Sequence, residues 1–375
     1  MRIAQIAPVW ERVPPRKYGG IEVVVFHLTE ELIRRGHDVT LFATGDSITK
    51  ARLISNYDTS PERIHLAQYN PMPDLIHIGK AFKHTEQFDI IHNHTGWIGT
   101  VLGSLIDKPV LDTLHWRFSE ENIPFYEVYK DAVFYNSISF KQRESGPDLN
   151  YVGNVYNAID TDSYQFSKDK GDYFIHISRI CSDKGTDIAI DVARKAGVKL
   201  ILAGKVDPGK DTLYYKEKIA PKLDGRQIIY IGEITEEEKR ALFREARGFI
   251  FPLQWAEPFG LVMVEAMACG TPVIAFPFGS VPEIVDNGKT GFVVNNFEQM
   301  VEAVNNIECI DPFDCWKRAV EKFSINKMVD EYETLYEKII KLKADKQMAK
   351  IEVHKVQVIP SLRISPASLN LSIKP

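Results

Sequence analysis

Apolar positions along this chain follow two rhythms that alternate from one end to the other. Short runs of strand length occur at residues 2–7, 39–43, 88–92, 109–115 and 132–137. Between the first two lies a loop with Pro14, Pro15, Gly19 and Gly20, then Ile21, Val24, Val25, Leu28 and Leu32 at helical spacing, closed by Gly36. A second series of strand-like runs follows at 173–178, 198–204, 228–232, 248–252, 273–276 and 291–294. Helical stretches separate them at 186–196, at 235–246 behind a Thr235–Glu238 capping box, and a last one follows at 297–307. Met328, Tyr332, Leu335, Ile339 and Ile340 then mark one face of a final helix over 327–343, and 351–358 alternates in strand rhythm. Two successive series of alternating strands and helices predict an α/β protein, and 375 residues exceed a single ordinary core, so two domains are expected.

The stretch around which the second series is organised is Glu257-Pro-Phe-Gly-Leu-Val-Met-Val-Glu265, with Ala268-Cys-Gly-Thr-Pro272 behind it. Pro258 suits the first position of a helix, and Gly270 with Pro272 ends one. Unpaired N–H groups near Phe259, Gly260 and Leu261 then favour an anion. The two carboxylates stand about 12 Å apart if the whole stretch is helical. That spacing suits a nucleotide sugar: a polyol, a diphosphate, then a ribose diol. The plainer alternative is a capping Glu257 and a Glu265 paired with a buried arginine. Arg179 and Lys184 flank a turn that can bring both cations to one phosphate pair, although two solvated surface cations would read the same way. Gly19 and Gly20 make a second anion-tolerant helix start or a simple turn, and the G-x-G-x-x-G of a dinucleotide site is absent. His92 and His94 share a strand face without a third ligand at metal spacing, so no metal is expected there. His115 ends a strand, where α/β sites sit, or is a core histidine bonded to backbone.

Composition narrows the classes. Hydrophobic content of 44% and charged content of 26% are those of a globular protein. A net charge of −5 argues against a nucleic-acid binder. Four cysteines without C-x-x-C spacing point to a reduced, cytoplasmic protein with no structural zinc. No apolar run has membrane-spanning length, so no transmembrane segment is expected, and Met1-Arg-Ile-Ala reads as a strand rather than a signal peptide.

The frame E-P-F-G-L-V-x-V-E-A-M-A-x-G-x-P-V-I-A resembles the signature of the retaining glycosyltransferases of family GT4, the group 1 glycosyltransferases. The resemblance implies the GT-B architecture: two Rossmann-like domains facing across a cleft, with a C-terminal helix crossing back to the first. It divides the chain into an acceptor-side domain (1–157), a nucleotide-sugar-binding domain (158–326), a crossover helix (327–343) and a tail of no assigned role (344–375). Arg179-x4-Lys184-Gly matches the family's phosphate-binding pair. By the same resemblance Glu257 holds sugar hydroxyls and Glu265 the ribose. The helix start at Phe259, Gly260 and Leu261 faces the diphosphate, Gly19 and Gly20 close on it from across the cleft, and Gly232 to Ile234 hold the base through the backbone. T-x-H places His115 beside the transferred sugar, and D-I-I-H-x-H places His94 against the acceptor, in a pocket that also takes Trp10, Tyr18 and Trp116. The linker departs from the family's P-N-G-[VI]-D in Tyr156 and Ala158, and the G-G-x-P-E loop departs in Ser280. Asp160-Thr-Asp162 is formally a D-x-D, but its linker position gives no metal site. The implied function is a metal-independent, cofactor-free transfer of a sugar, with retention, from a nucleoside-diphosphate donor to an acceptor hydroxyl, UDP being favoured over GDP. A sugar-nucleotide epimerase, a non-catalytic nucleotide-sugar binder and a nicotinamide dehydrogenase are the alternatives. The sugar, acceptor, linkage and oligomeric state leave no readable signature.

Overall fold

A computed structural model describes residues 1–16, 19–61 and 70–357, with backbone alone from residue 349 onward. Strands β1 (Arg2–Ile6), β2 (Asp38–Phe42), β3 (Arg52–Ile54), β4 (Ile90–Asn93), β5 (Val110–Leu114), β6 (Phe134–Ser137) and β7 (Tyr151–Asn154) form one sheet in the order β3-β2-β1-β4-β5-β6-β7. Strands β8 (Tyr173–Ile177), β9 (Lys199–Ala203), β10 (Ile228–Tyr230), β11 (Gly248–Phe251), β12 (Val273–Ala275) and β13 (Gly291–Val293) form a second, in the order β10-β9-β8-β11-β12-β13. Their ladders are parallel. The continuous apolar runs follow from this, because helices cover both faces of a parallel sheet and every position of a strand such as β8 is buried.

Each sheet reverses its order once, between β1 and β4 and between β8 and β11. In open α/β sheets the crevice beyond the strand ends at that reversal receives ligands. The loops leaving β1, β4, β8 and β11 are therefore the ones placed to build a site. They carry Gly19 and Gly20, His94, Arg179 and Lys184, and Glu257 respectively.

The two halves are tied across the cleft. Ser139 Oγ donates to the Pro258 carbonyl at 2.7 Å. The Glu283 carboxylate accepts from the Phe140 and Lys141 amides at 2.9 and 2.6 Å and from the Tyr156 hydroxyl at 2.8 Å. The tyrosine that replaces the family's linker proline is thus one arm of this tie.

The final helix, Ile325–Gln357, crosses back to the first sheet. Met328, Val329, Tyr332, Leu335, Tyr336 and Ile339 share a core with Ile3, Val24, Leu28, Leu32 and Leu111. Each such side chain removed from water contributes about 1.5–3 kcal/mol, so the helix is firmly part of the first domain. Arg35 adds ion pairs to Asp330 at 2.6 Å and Glu333 at 2.7 Å. The helix runs past residue 343, and the strand rhythm of 351–358 is overruled as far as Gln357. Lys341-Leu-Lys-Ala-Asp-Lys-Gln-Met-Ala-Lys350 contains only good or neutral helix formers and no breaker, so the helix simply propagates. Residues 358–375 lie outside the described residues.

Candidate functional site

The organising helix begins at Leu261, not Pro258, and runs to Ala268. Gly260 stops it from starting earlier, since its φ of 80° is left-handed. A Cβ there would lie 2.8 Å from Met263 Cε and 3.2 Å from Glu257 Cγ. Glu257 to Phe259 are therefore loop, and the helical rise assumed between the two carboxylates does not apply. The first amides of the helix remain without intrahelical partners, as at any helix start. Opposite, the helix Gly20–Arg34 begins with Gly20, whose Cβ would lie 3.7 Å from Leu261 Cδ1. Two helix starts, one from each domain, thus meet at Gly20 and Leu261.

Lys184 ends a short turn after β8, Ser182–Lys184. Its ammonium pairs with Glu257 Oε2, with the two side chains 15% and 13% exposed. It also lies 4.8 Å over the Trp255 ring. The loops after β8 and β11 are thereby joined by charge at the sheet's point of reversal. Arg179 does not join Lys184. Its guanidinium reaches Asp207 at 3.4 Å and Asp211 at 3.6 Å, so the two cations stand in separate ion pairs. Glu265 is buried and accepts from Lys239 Nζ at 2.9 Å. Burial works against the charge on Lys239, but Glu265 and Glu236 outweigh it and raise its pKa. Gly232 turns with φ 82° and its carbonyl accepts from the Gly204 amide at 2.8 Å; Ile234 packs against the second-domain core.

Gln142 holds the end of β5 by donating to the Leu114 and Trp116 carbonyls at 2.8 and 2.7 Å. His115 lies between them, half-buried, and its Nε2 is 2.9 Å from His94 Nδ1. His94, expected against the acceptor, has no exposed surface, and its Nε2 is 2.8 Å from Gln5 Oε1. With both ring nitrogens engaged inside the protein, His94 stands behind His115 and is not an acceptor contact. Burial pushes the His115 pKa down to about 3 and that of His94 well below the usual histidine range, so both rings are neutral. Trp116 is 43% exposed, and Trp10 donates to Asp74 Oδ2 at 2.9 Å. Tyr18 lies outside the described residues.

A narrow crevice opens between the domains, lined by Arg117, Lys141, Gln142, Glu257, Pro258 and Gly279 among others. Arg117 lies 5.2 Å over Trp255 from the opposite side of the cleft. Arg117 and Trp255 carry no motif of their own in the sequence; a tryptophan two residues before Glu257 is the available signal. Among the described residues no group of three or more His, Cys, Asp or Glu side chains is placed to hold a metal ion. Nor is any described helix long and apolar enough to cross a membrane.

Comparison with known proteins matches this geometry at both ends. The family model for glycosyl transferases group 1 matches residues 159–312, and that for glycosyltransferase family 4 matches residues 18–145. The chain belongs to the group 1 glycosyltransferases, family GT4. It is a glycosyltransferase of GT-B fold, with two Rossmann-like domains facing across a cleft. A probable sucrose-phosphate synthase of Thermosipho melanesiensis is 33% identical over 230 residues, 58% of this chain and 50% of that relative. The chain thus aligns with half the length of that curated relative. Sucrose-phosphate synthase from Thermosynechococcus elongatus has the same fold, with a TM-score of 0.69 at 19% identity, over 91% of this glycosyltransferase and 99% of that chain. The Anabaena protein HepE, solved in complex with UDP and glucose, superposes with a TM-score of 0.68 at 19% identity, over 89% and 99% of the two chains.

Proposed function

We propose that this glycosyltransferase moves a sugar, with retention and without a metal, from a nucleoside-diphosphate donor to an acceptor hydroxyl. The observation that carries the reading is the Lys184–Glu257 pair at the reversal of the second sheet, beside a helix start that meets Gly20 across the cleft. The donor diphosphate lies between Leu261 and Gly19–Gly20, and Lys184 with Arg179 supplies the positive charge. Glu257 takes hydroxyls of the transferred sugar, Glu265 takes the ribose diol, and the backbone at Gly232 to Ile234 takes the base. UDP is the favoured nucleotide, in keeping with HepE, which binds UDP and glucose. Four free thiols, three of them buried, support a cytoplasmic setting.

Breaking the glycosidic bond leaves positive charge on the anomeric carbon and negative charge on the departing phosphate oxygen. Lys184 and the amides at Leu261 stabilise the second of these in place, with no reorganisation. The acceptor oxygen then bonds to the anomeric carbon from the face the phosphate is leaving, and its proton passes to that phosphate oxygen. His115, neutral, hydrogen-bonds a hydroxyl of the same sugar. The cleft between the domains, on the side of Arg117 and Trp116, receives the acceptor. Incubation with a panel of UDP- and GDP-sugars, with and without sugar acceptors, tests the reading. Acceptor-dependent release of nucleoside diphosphate is expected. Release of free nucleotide with an isomerised sugar, or binding without release, would replace it with an epimerase or a binder.

A further inference from the structure

A run of buried hydrogen bonds leads from His115 into the crossover helix. His115 Nε2 meets His94 Nδ1 at 2.9 Å, and His94 Nε2 meets Gln5 Oε1 at 2.8 Å. Gln5 Nε2 donates to the Tyr336 hydroxyl at 3.0 Å, and that hydroxyl is 2.7 Å from His92 Nδ1. His92 Nε2 lies 2.7 Å from Thr113 Oγ1, which is 3.1 Å from the Tyr332 hydroxyl. Gln5 sits in the middle of β1, a fully buried amide among apolar neighbours, and the transfer chemistry makes no direct use of it.

With Gln5 Oε1 facing His94 and Gln5 Nε2 facing Tyr336, the donors and acceptors along this run are fixed. An amide oxygen only accepts, so His94 must carry its proton on Nε2. Burial keeps His94 neutral, so its Nδ1 is a lone pair. His115 must then donate from Nε2, and, being neutral, it too has a bare Nδ1. That nitrogen has no partner among the described residues, and the ring is half-buried at the cleft end of β5. On the other side, the Tyr336 hydroxyl accepts from Gln5 and passes its own proton to His92 Nδ1, so His92 donates from Nε2 to Thr113.

We infer that Gln5, held by Tyr336 of the crossover helix, is a positioning residue that fixes the tautomer of His115 through His94, so that Nδ1 meets the donor sugar as a hydrogen-bond acceptor. The inference rests on the proposed placement of His115 beside that sugar. It defines what the sugar must offer at this point: a hydroxyl, which can donate, and not a carboxylate or carbonyl oxygen, whose lone pairs would face another lone pair. The arrangement is imposed from the C-terminal end of the chain, through a helix the donor never touches.

Long-range proton–nitrogen correlation spectra of the full chain, labelled with nitrogen-15 histidine, test this directly. His115→Asn and His94→Asn assign the signals. In the unsubstituted protein both rings are expected to be protonated at Nε2 alone, and a proton on Nδ1 of either would overturn the inference. Gln5→Leu should give a mixed pattern at His115 and lower turnover about tenfold, the worth of one correctly presented hydrogen bond. If Gln5→Leu does not fold, the unsubstituted spectrum still decides. Full turnover in His115→Asn would instead remove the histidine's role at the sugar and leave the tautomer assignment standing.

Discussion

Replacing Lys184 with methionine keeps the length and the apolar stem but removes the charge, and its consequences divide into two that can be measured apart. The first is stability. The Lys184–Glu257 pair has both side chains nearly out of solvent, 15% and 13% exposed. Stranding one partner of a buried pair costs about 3–5 kcal/mol, and the residual exposure here puts Lys184→Met at the lower end, about 3 kcal/mol. Removing both charges in Lys184→Met/Glu257→Gln leaves no stranded carboxylate, so most of that loss should return. The second consequence is turnover. A preorganised positive group at the developing phosphate charge lowers the barrier by about 3–4 kcal/mol, so its loss should slow kcat by roughly 10²- to 10³-fold. The double variant cannot recover this, because the charge is still missing. Urea unfolding of the wild type, both single variants and the double variant gives the first quantity. Nucleoside-diphosphate release at saturating donor gives the second. A double variant that regains both stability and turnover would reduce the pair to a strut between two loops and would refute its role on the leaving group.

Two further outcomes follow from the same geometry. Gly279 turns with φ 58°, and a Cβ there would overlap the backbone nitrogen and oxygen of Glu257; Gly279→Ala should therefore displace Glu257 and lower kcat about 100-fold, as misplacement of a positioning group by ~1 Å does, and wild-type turnover in a folded Gly279→Ala protein would count against Glu257 at the sugar. Burial holds His77 and His176 near neutrality of charge, with pKa values pushed down to about 4; the unfolded chain, with histidine pKa values near 6.5, takes up those protons first. Stability is then complete above pH ~6.5 and falls as the pH drops toward ~4, by up to roughly 3 kcal/mol per histidine. Urea midpoints measured across that range should decline, and His77→Phe should flatten the decline.

The placement of the charged groups follows from topology more than from any single motif. Parallel strands leave all their C-terminal ends on one edge, and the reversal of strand order between β8 and β11 parts the two loops that follow them. Those two loops deliver Lys184 and Glu257 from positions far apart in the chain to a single ion pair. The first sheet repeats the device between β1 and β4, which is why Gly19–Gly20 occupy the facing rim with His94 buried beneath it. Glu283 and Tyr156 then hold the halves against each other.

Local signals proved legible where one physical rule acts alone. The Thr235–Glu238 capping box closes as its spacing requires, and the apolar face of the last helix lands in the first core as its period requires. Gly270 takes a φ of 78° at the end of the organising helix, as a stop before Pro272 should. Where two rules compete, the sequence was ambiguous. Pro258 favours a helix start, but Gly260 in a left-handed conformation forbids one before Leu261. Partnership was the least legible property. Arg179 reads as a phosphate ligand, yet nothing nearby in sequence tells that it also pairs with Asp207 and Asp211. His94 carried a motif that pointed to the acceptor, while its burial depended on Gln5, which is 89 residues away along the chain. The one warning was Gln5 itself. An amide in the middle of the apolar run Ile3-Ala-Gln-Ile6 needs a buried partner, because leaving it unpaired costs about 1–3 kcal/mol. A polar residue in an otherwise apolar strand therefore implies a second polar group behind it. Here the groups behind it are His94 on one side and Tyr336 on the other, and with them the crossover helix becomes part of the site's architecture and not only of its core.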